Sequence, residues 1–79
     1  MIDERLVAGT IASTLGVEAA KLSPDAGPGR LEGWDSLKSL QVVMALEALV
    51  GRQLDLDGLA EATTVRDLTR LALEASRRR

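Results

Sequence analysis

Apolar residues recur at helical spacing in three stretches of this 79-residue chain, one near each end and one in the middle. The first stretch covers residues 3–15 and stops at Gly16, a residue typical of helix C-termini; its main apolar positions are Leu6, Ile11 and Leu15. The second covers residues 36 to about 51 and has no glycine or proline in its interior. Asp35 precedes it as a natural N-cap. This second stretch is the most strongly predicted helix.

The third stretch runs from residue 65 to about residue 76 and offers three leucines for burial, Leu68, Leu71 and Leu73. Thr64 and Asp67 stand three residues apart at its start, a spacing that resembles a capping box with aspartate in place of glutamate. Between the second and third stretches, Asp57 can cap a short helix that ends near Ala62.

The segments between these helices favour turns and a long loop. Residues 17–22 can add one short turn, whereas residues 23–33 contain two prolines and three glycines and cannot continue a helix. No stretch alternates apolar and polar residues for long enough to predict a strand. The predicted fold class is therefore all-α, a small four-helix bundle of three main helices and one short helix.

The central helix has two apolar faces when it is drawn at 100° per residue. One face collects Val42, Val43, Leu46, Leu49 and Val50, and nearly opposite lies a second stripe of Leu37, Leu40 and Met44. The loop and the short helix can bury this second stripe, or it can stay exposed for a partner. The pattern leaves both alternatives open.

Composition narrows the range of functions. Hydrophobic residues make up 46% of the chain and charged residues 28%, which favours one folded domain over a disordered segment. The chain contains no cysteine and no histidine, so disulfides, the usual zinc sites and the commonest general base are excluded. An enzyme is therefore not expected, and no metal site is predicted.

Charge and the chain ends bear on the partners. The formal net charge is −2, although three of the ten basic residues form the C-terminal tail, residues 77–79. A mildly acidic surface argues against nucleic acid as the main partner. A helix-turn-helix binder is also disfavoured, because Asp67 and Glu74 interrupt the side of the last helix that carries Arg66 and Arg70. The N-terminus resembles neither a signal peptide nor a membrane span, so a cytoplasmic protein is expected. The protein is also expected to be a monomer. The Met1 start and the charged end favour a free-standing protein.

Ser36 lies in the first turn of the central helix, where backbone N–H groups lack intrahelical partners and anions are favoured. Spacing alone favours the interpretation of Ser36 as a common helix-start serine. Ser39, one turn on, faces the core side. Trp34, the only aromatic residue, is predicted to anchor the loop against the bundle.

Two segments carry a resemblance to a known family. The run DSLKSLQVVMALE, residues 35–47, followed by LDLDGLAEATTVRDL, residues 54–68, resembles the acyl carrier and peptidyl carrier proteins. The likeness covers nearly the whole chain, and it implies a single carrier domain at residues 1–76 with a basic tail at 77–79.

The resemblance implies that Ser36, beside Asp35, receives a 4′-phosphopantetheine arm from coenzyme A. A separate, magnesium-using phosphopantetheinyl transferase would attach the arm, and acyl- or aminoacyl-loading and acyl-processing enzymes would act on thioesters held at its end. The surface that such proteins present to partner enzymes corresponds here to Leu37, Lys38, Leu40, Gln41, Met44 and Glu47. Core residues that could border a cavity for the acyl chain are Leu46, Val50, Leu54, Leu59 and Ala62.

The second helix departs from the strongly acidic pattern of fatty-acid carriers. Lys38, Gln41, Ala48 and Leu49 stand where acids are expected, and Glu47 is the main acid left. Because charge selects partners, a specialised polyketide or nonribosomal peptide pathway is the preferred hypothesis. The alternatives are a fatty-acid carrier and a non-covalent interaction module with the same fold and no arm.

Overall fold

A computed structural model describes residues 2–28, 31 and 33–77. Over these residues the chain forms four α-helices and no strand: α1 (Glu4–Leu15), α2 (Ser36–Val50), α3 (Leu56–Glu61) and α4 (Val65–Arg77). A 3₁₀ turn at Ala19–Lys21 follows α1. The predicted all-α bundle of three main helices and one short helix is confirmed. Arg78 and Arg79 of the predicted tail, and residues 29, 30 and 32 of the predicted loop, lie outside the described residues.

Local sequence signals set the ends of the first two helices. Asp3 Oδ1 accepts the Leu6 N–H at 2.9 Å and caps α1, and Asp35 Oδ1 accepts the Lys38 N–H at 2.9 Å and caps α2, as predicted. Both helices end at a glycine in the left-handed conformation, with φ of 75° at Gly16 and 78° at Gly51.

The predicted cap of the short helix was wrong by two residues. Asp55, not Asp57, is the N-cap of α3, and its Oδ2 accepts the Gly58 N–H at 2.9 Å. The two aspartates alternate with leucines, so a spacing argument fits either of them. Asp57 instead lies within the first turn of α3, where its negative charge is favoured by the helix dipole.

The core is built from aliphatic side chains of α1, α2 and α4 together with Trp34. Val7 and Ile11 of α1 and Val42 and Leu46 of α2 are all fully buried. In α4 the buried side chains are Val65, Leu68, Leu71, Ala72 and Ala75, while Leu73 packs at the margin. This confirms the buried face predicted for α4 and the Val42 and Leu46 face of α2.

Leu6 does not join the buried face of α1. It is 44% exposed, and Val7 occupies the core in its place. Val7 and Ile11 are four residues apart and share one side of the helix, whereas Leu6 is five residues from Ile11 and points well away from it. Leu15 packs against the core as expected.

The loop between α1 and α2 is tied to the start of α4. The N–H groups of Val65 and Arg66 donate to the carbonyl oxygens of Ala26 and Pro24 at 2.8 and 2.9 Å. These two donors have no acceptor within their own helix. The loop carbonyls therefore act as a cap for α4 and hold the loop in place.

The predicted capping box of α4 is present in a modified form. Thr64 Oγ1 accepts the Asp67 N–H at 3.2 Å, while Asp67 Oδ2 accepts the N–H of Thr63, at 3.0 Å. The hydrogen bond from the N–H of Thr63 lowers the pKa of Asp67 below its ordinary value. Desolvation, the second-largest effect, opposes this shift, while the side chain and N–H of Thr64 and the charge of Arg70 lower the pKa further.

The lowered pKa of Asp67 predicts a pH-dependent contribution to stability. A carboxylate whose folded pKa is depressed stabilises the fold above the ordinary aspartate value of about 3.9, and this contribution is lost as the pH falls through the lower folded value. We expect wild type to unfold at a higher temperature than Asp67→Asn at neutral pH. The gap should narrow near about pH 3. Thermal unfolding followed by circular dichroism measures both, and an equal gap at the two pH values would contradict this role.

Candidate functional site

Ser36 is the first residue of α2, and its side chain is exposed. The preceding residue, Asp35, has an extended backbone, and its carbonyl oxygen accepts the Ser39 N–H at 2.9 Å as the first hydrogen bond of the helix. Among the described residues the Ser36 hydroxyl and the N–H groups of Ser36 and Leu37 have no hydrogen-bond partner. The start of α2, where the loop meets the helix, therefore presents a hydroxyl beside two N–H donors; we call it the attachment corner.

Trp34 anchors the loop to α2, as predicted. Its side chain is only 3% exposed and belongs to the core, and its indole Nε1–H donates to Ser39 Oγ at 2.8 Å. Ser39 is half-buried and its hydroxyl is engaged by this bond. Of the two serines in the first turns of α2, Ser36 is the exposed one, and its hydroxyl has no hydrogen-bond partner among the described residues.

The second apolar stripe of α2 is exposed. Leu37, Leu40 and Met44 are 62%, 57% and 60% exposed, whereas Val42 and Leu46 on the other side are fully buried. Neither α3 nor the described part of the loop covers the stripe. The structure thus decides between the two alternatives that the sequence left open, and it places the stripe, three side chains over two turns, immediately after Ser36.

Lys38 and Glu47, two of the polar residues assigned to the partner face, also make contacts within the bundle. Lys38 Nζ lies 3.5 Å from the carbonyl oxygen of Thr14 in the last turn of α1, where a cation complements the helix dipole. Glu47 Oε2 accepts the Leu54 N–H at 3.0 Å and so secures the segment between α2 and α3. Both side chains are half-buried, whereas Gln41 is exposed. Neither contact could be predicted from local sequence, because the partners lie 24 and 7 residues away.

The five residues predicted to border an acyl-chain cavity lie in the core or against it. Leu46 and Leu54 are buried, and Val50, Leu59 and Ala62 pack against the core cluster. Two grooves open on the described surface, one along α1 beside Ala45 and one between α1, the loop and α4. None of the five residues lines either groove, so the acyl-chain cavity stays a prediction.

Two further properties restrict the chemistry of the described part of the chain. Within residues 2–28, 31 and 33–77 no group of three or more His, Cys, Asp or Glu side chains is arranged to hold a metal ion. None of the described helices has the length and apolar character that a membrane span requires.

These features define a class of protein: a small helical bundle that presents one accessible serine hydroxyl at a helix start, beside an exposed apolar stripe. A family model described as "Phosphopantetheine attachment site" matches residues 5–72, which is most of the chain. The chain therefore belongs to this family of carrier domains, as the resemblance to acyl and peptidyl carrier proteins implied. Domains of the family carry covalently attached 4′-phosphopantetheine and are generally not catalysts themselves. No curated protein matches the chain.

Proposed function

We propose that this protein is a carrier whose Ser36 Oγ bears the 4′-phosphopantetheine arm. The observation that carries the proposal is the exposed, unbonded hydroxyl of Ser36 at the start of α2, inside the matched span. Ser39, the nearest other hydroxyl on this helix, is half-buried and hydrogen-bonded to Trp34. The site therefore offers one attachment point.

The surroundings of Ser36 suit a phosphodiester. The free N–H groups of Ser36 and Leu37 lie at the positive end of the α2 dipole, which favours a nearby negative charge by about 0.3–1 kcal/mol at an exposed site. Asp35 adds a negative charge, but its Oδ1 is directed to the Lys38 N–H. We infer that the carboxylate of Asp35 meets a cation held by the transferase during attachment.

The attachment step can be written for the Ser36 hydroxyl. Ser36 Oγ forms a bond to the phosphorus of coenzyme A that carries the pantetheine, and the bond from this phosphorus to the bridging pyrophosphate oxygen breaks. The leaving group is adenosine 3′,5′-bisphosphate. The chain has no histidine, and no base contacts Ser36 among the described residues, so the serine proton passes to a base of the transferase.

Once attached, the arm supplies a thiol on which acyl or aminoacyl groups are held as thioesters. The chain itself then contributes the exposed stripe of Leu37, Leu40 and Met44, which we assign as the docking face for the transferase and for loading and processing enzymes. We assign the exposed Gln41 and the half-buried Lys38 and Glu47 to the same partner face. We place the protein in the cytoplasm as a monomer.

The charge of α2 supports a specialised pathway over fatty-acid synthesis. Glu47 is the only acid in Ser36–Val50, and one of its oxygens already accepts the Leu54 N–H. A partner that binds the exposed stripe of α2 contacts apolar side chains rather than a row of acidic ones, so charge contributes little to the choice of partner. We infer a carrier of polyketide or nonribosomal peptide assembly. A fatty-acid carrier is the alternative.

The proposal is tested by incubating the folded protein with coenzyme A, magnesium and a broad-specificity phosphopantetheinyl transferase. Intact-mass spectrometry should show the addition of one arm, and fragmentation should place it on Ser36. An unchanged mass would contradict the proposal and favour the non-covalent interaction module. If the arm is added, the mass of the protein purified from its native host would identify the acyl or aminoacyl group that the arm carries.

The docking face gives a separate prediction. Met44→Asp puts a charge at the C-terminal end of the exposed stripe and should raise the KM of the transferase for the carrier about tenfold or more, because buried apolar anchors dominate such interfaces. Leu6→Asp is the matched control, since it makes the same kind of change at an exposed apolar position of α1. We expect near wild-type KM for the control. Equal effects of the two variants would remove α2 as the docking face.

A further inference from the structure

The hydrogen bond between Trp34 and Ser39 brackets the attachment corner. Its donor, the indole Nε1–H, lies two residues before Ser36, and its acceptor, Ser39 Oγ, lies three residues after it, at 2.8 Å. The Trp34 ring is buried in the core. This bond therefore connects the core, the end of the loop and the first turn of α2 across the residue that carries the hydroxyl.

Two other hydrogen bonds close the same corner. Asp35 Oδ1 accepts the Lys38 N–H and the Asp35 carbonyl oxygen accepts the Ser39 N–H, both at 2.9 Å. Bonds of these two kinds occur at any capped helix start and fix only the local backbone. The indole bond is different, because it joins two side chains and orients the helix start relative to the core.

Burial makes the two partners depend on each other. A buried indole N–H needs an acceptor, and Ser39 Oγ is the one it has. The backbone N–H of Trp34 also donates to the Leu31 carbonyl oxygen, at 3.1 Å, so both ends of this residue are held. Moving the Trp34 ring or removing the Ser39 hydroxyl would break this bond and loosen the start of α2 without changing Ser36 itself.

We propose that Trp34 and Ser39 are positioning residues for the modification of Ser36; this inference rests on the function proposed above. Attack on phosphorus requires Ser36 Oγ to approach opposite the leaving oxygen, and small displacements of a reacting group reduce the rate steeply. The Trp34–Ser39 hydrogen bond holds Ser36 in an orientation from which its Oγ can attack the phosphorus when the transferase binds. The exposed stripe of α2 is not part of this bond, so docking should be preserved when the bond is lost.

The test measures kcat and KM of arm transfer for purified variants with coenzyme A and a broad-specificity transferase. Trp34→Phe keeps a buried ring and removes the N–H, and Ser39→Ala removes the acceptor. Each should lower kcat roughly two- to tenfold with little change in KM, the size expected for one hydrogen bond. Ser39→Thr keeps the hydroxyl and should restore kcat. The double variant Trp34→Phe/Ser39→Ala should be no slower than the slower single variant, because both remove one bond.

A stability control separates positioning from loss of structure. Ile11→Val removes one methyl group from the core of α1 and should cost a similar amount of stability, yet it should leave kcat unchanged. The single indole N–H signal in the proton NMR spectrum reports the bond directly; it should move in Ser39→Ala and much less in Ser39→Thr.

Three results would overturn the inference. They are wild-type kcat in both Trp34→Phe and Ser39→Ala, an equal loss of kcat in Ile11→Val, and losses that multiply in the double variant. Each leaves the proposed function intact, because wild type is still modified. Failure of wild type to accept the arm would instead overturn the proposed function, and this inference with it.

Discussion

Ser36→Ala is expected to abolish addition of the arm completely. The substitution removes the one accessible hydroxyl at the start of α2, and the neighbouring Ser39 is half-buried and engaged by Trp34. Exposed substitutions away from special contacts change stability by no more than about 0.5 kcal/mol, so the variant should remain folded. Intact-mass spectrometry after incubation with coenzyme A and transferase should show no mass increase.

The matched control for this experiment is Ser13→Ala. Ser13 is also an exposed serine on a helix, but it lies on α1. This variant should accept one arm as wild type does. An arm on Ser36→Ala would show that another hydroxyl is the attachment point, and fragmentation would identify it.

Gly27→Ala is expected to destabilise the protein strongly. Gly27 is buried, and a Cβ at this position would overlap the carbonyl oxygen of Thr63. That carbonyl cannot easily retreat, because the N–H of Thr63 is bonded to Asp67 and the next residue, Thr64, receives the Asp67 N–H. We expect a loss of about 2–3 kcal/mol and a fall of about 10–20 °C in unfolding temperature, measured by circular dichroism.

Alanine substitutions at two other glycines serve as comparisons for this stability prediction. At Gly9, inside α1, an added Cβ meets nothing within 4 Å, and alanine should stabilise the helix by about 0.5–1 kcal/mol. At Gly58, in α3, the Cβ would approach the flexible end of Leu71, so the cost should lie between the other two. A Gly27→Ala variant as stable as wild type would mean that the loop does not pack against Thr63 as closely as the structure shows.

The helices and most of their ends could be predicted because their signals are local. Asp35 and Asp3 cap helices through N–H groups three residues away, and Gly16 ends α1 through bonds to its own last turn. The short helix shows the limit of such signals. Asp55 and Asp57 both satisfy the cap pattern, and local spacing does not distinguish between them, although Asp55 is the cap in the structure.

The site was predictable only in part. The Ser36 hydroxyl and its flanking residues follow from the pattern of the chain, but the roles of Lys38 and Glu47 in holding Thr14 and Leu54 do not. A helical wheel gives the direction of each side chain and says nothing about what lies opposite. Leu6, at an apolar position of α1, is 44% exposed because it lies on a different side of the helix from Val7 and Ile11.

Local patterns and the family resemblance were enough to predict a four-helix carrier domain with a serine at the head of its central helix, because these features depend on residues a few positions apart. The folded structure was needed to show three further features: the exposure of Leu37, Leu40 and Met44, the packing of Gly27 against Thr63, and the hydrogen bond from the Trp34 indole to Ser39. These features depend on how different segments of the chain pack against one another in the fold. Packing, rather than local preference, sets those distances.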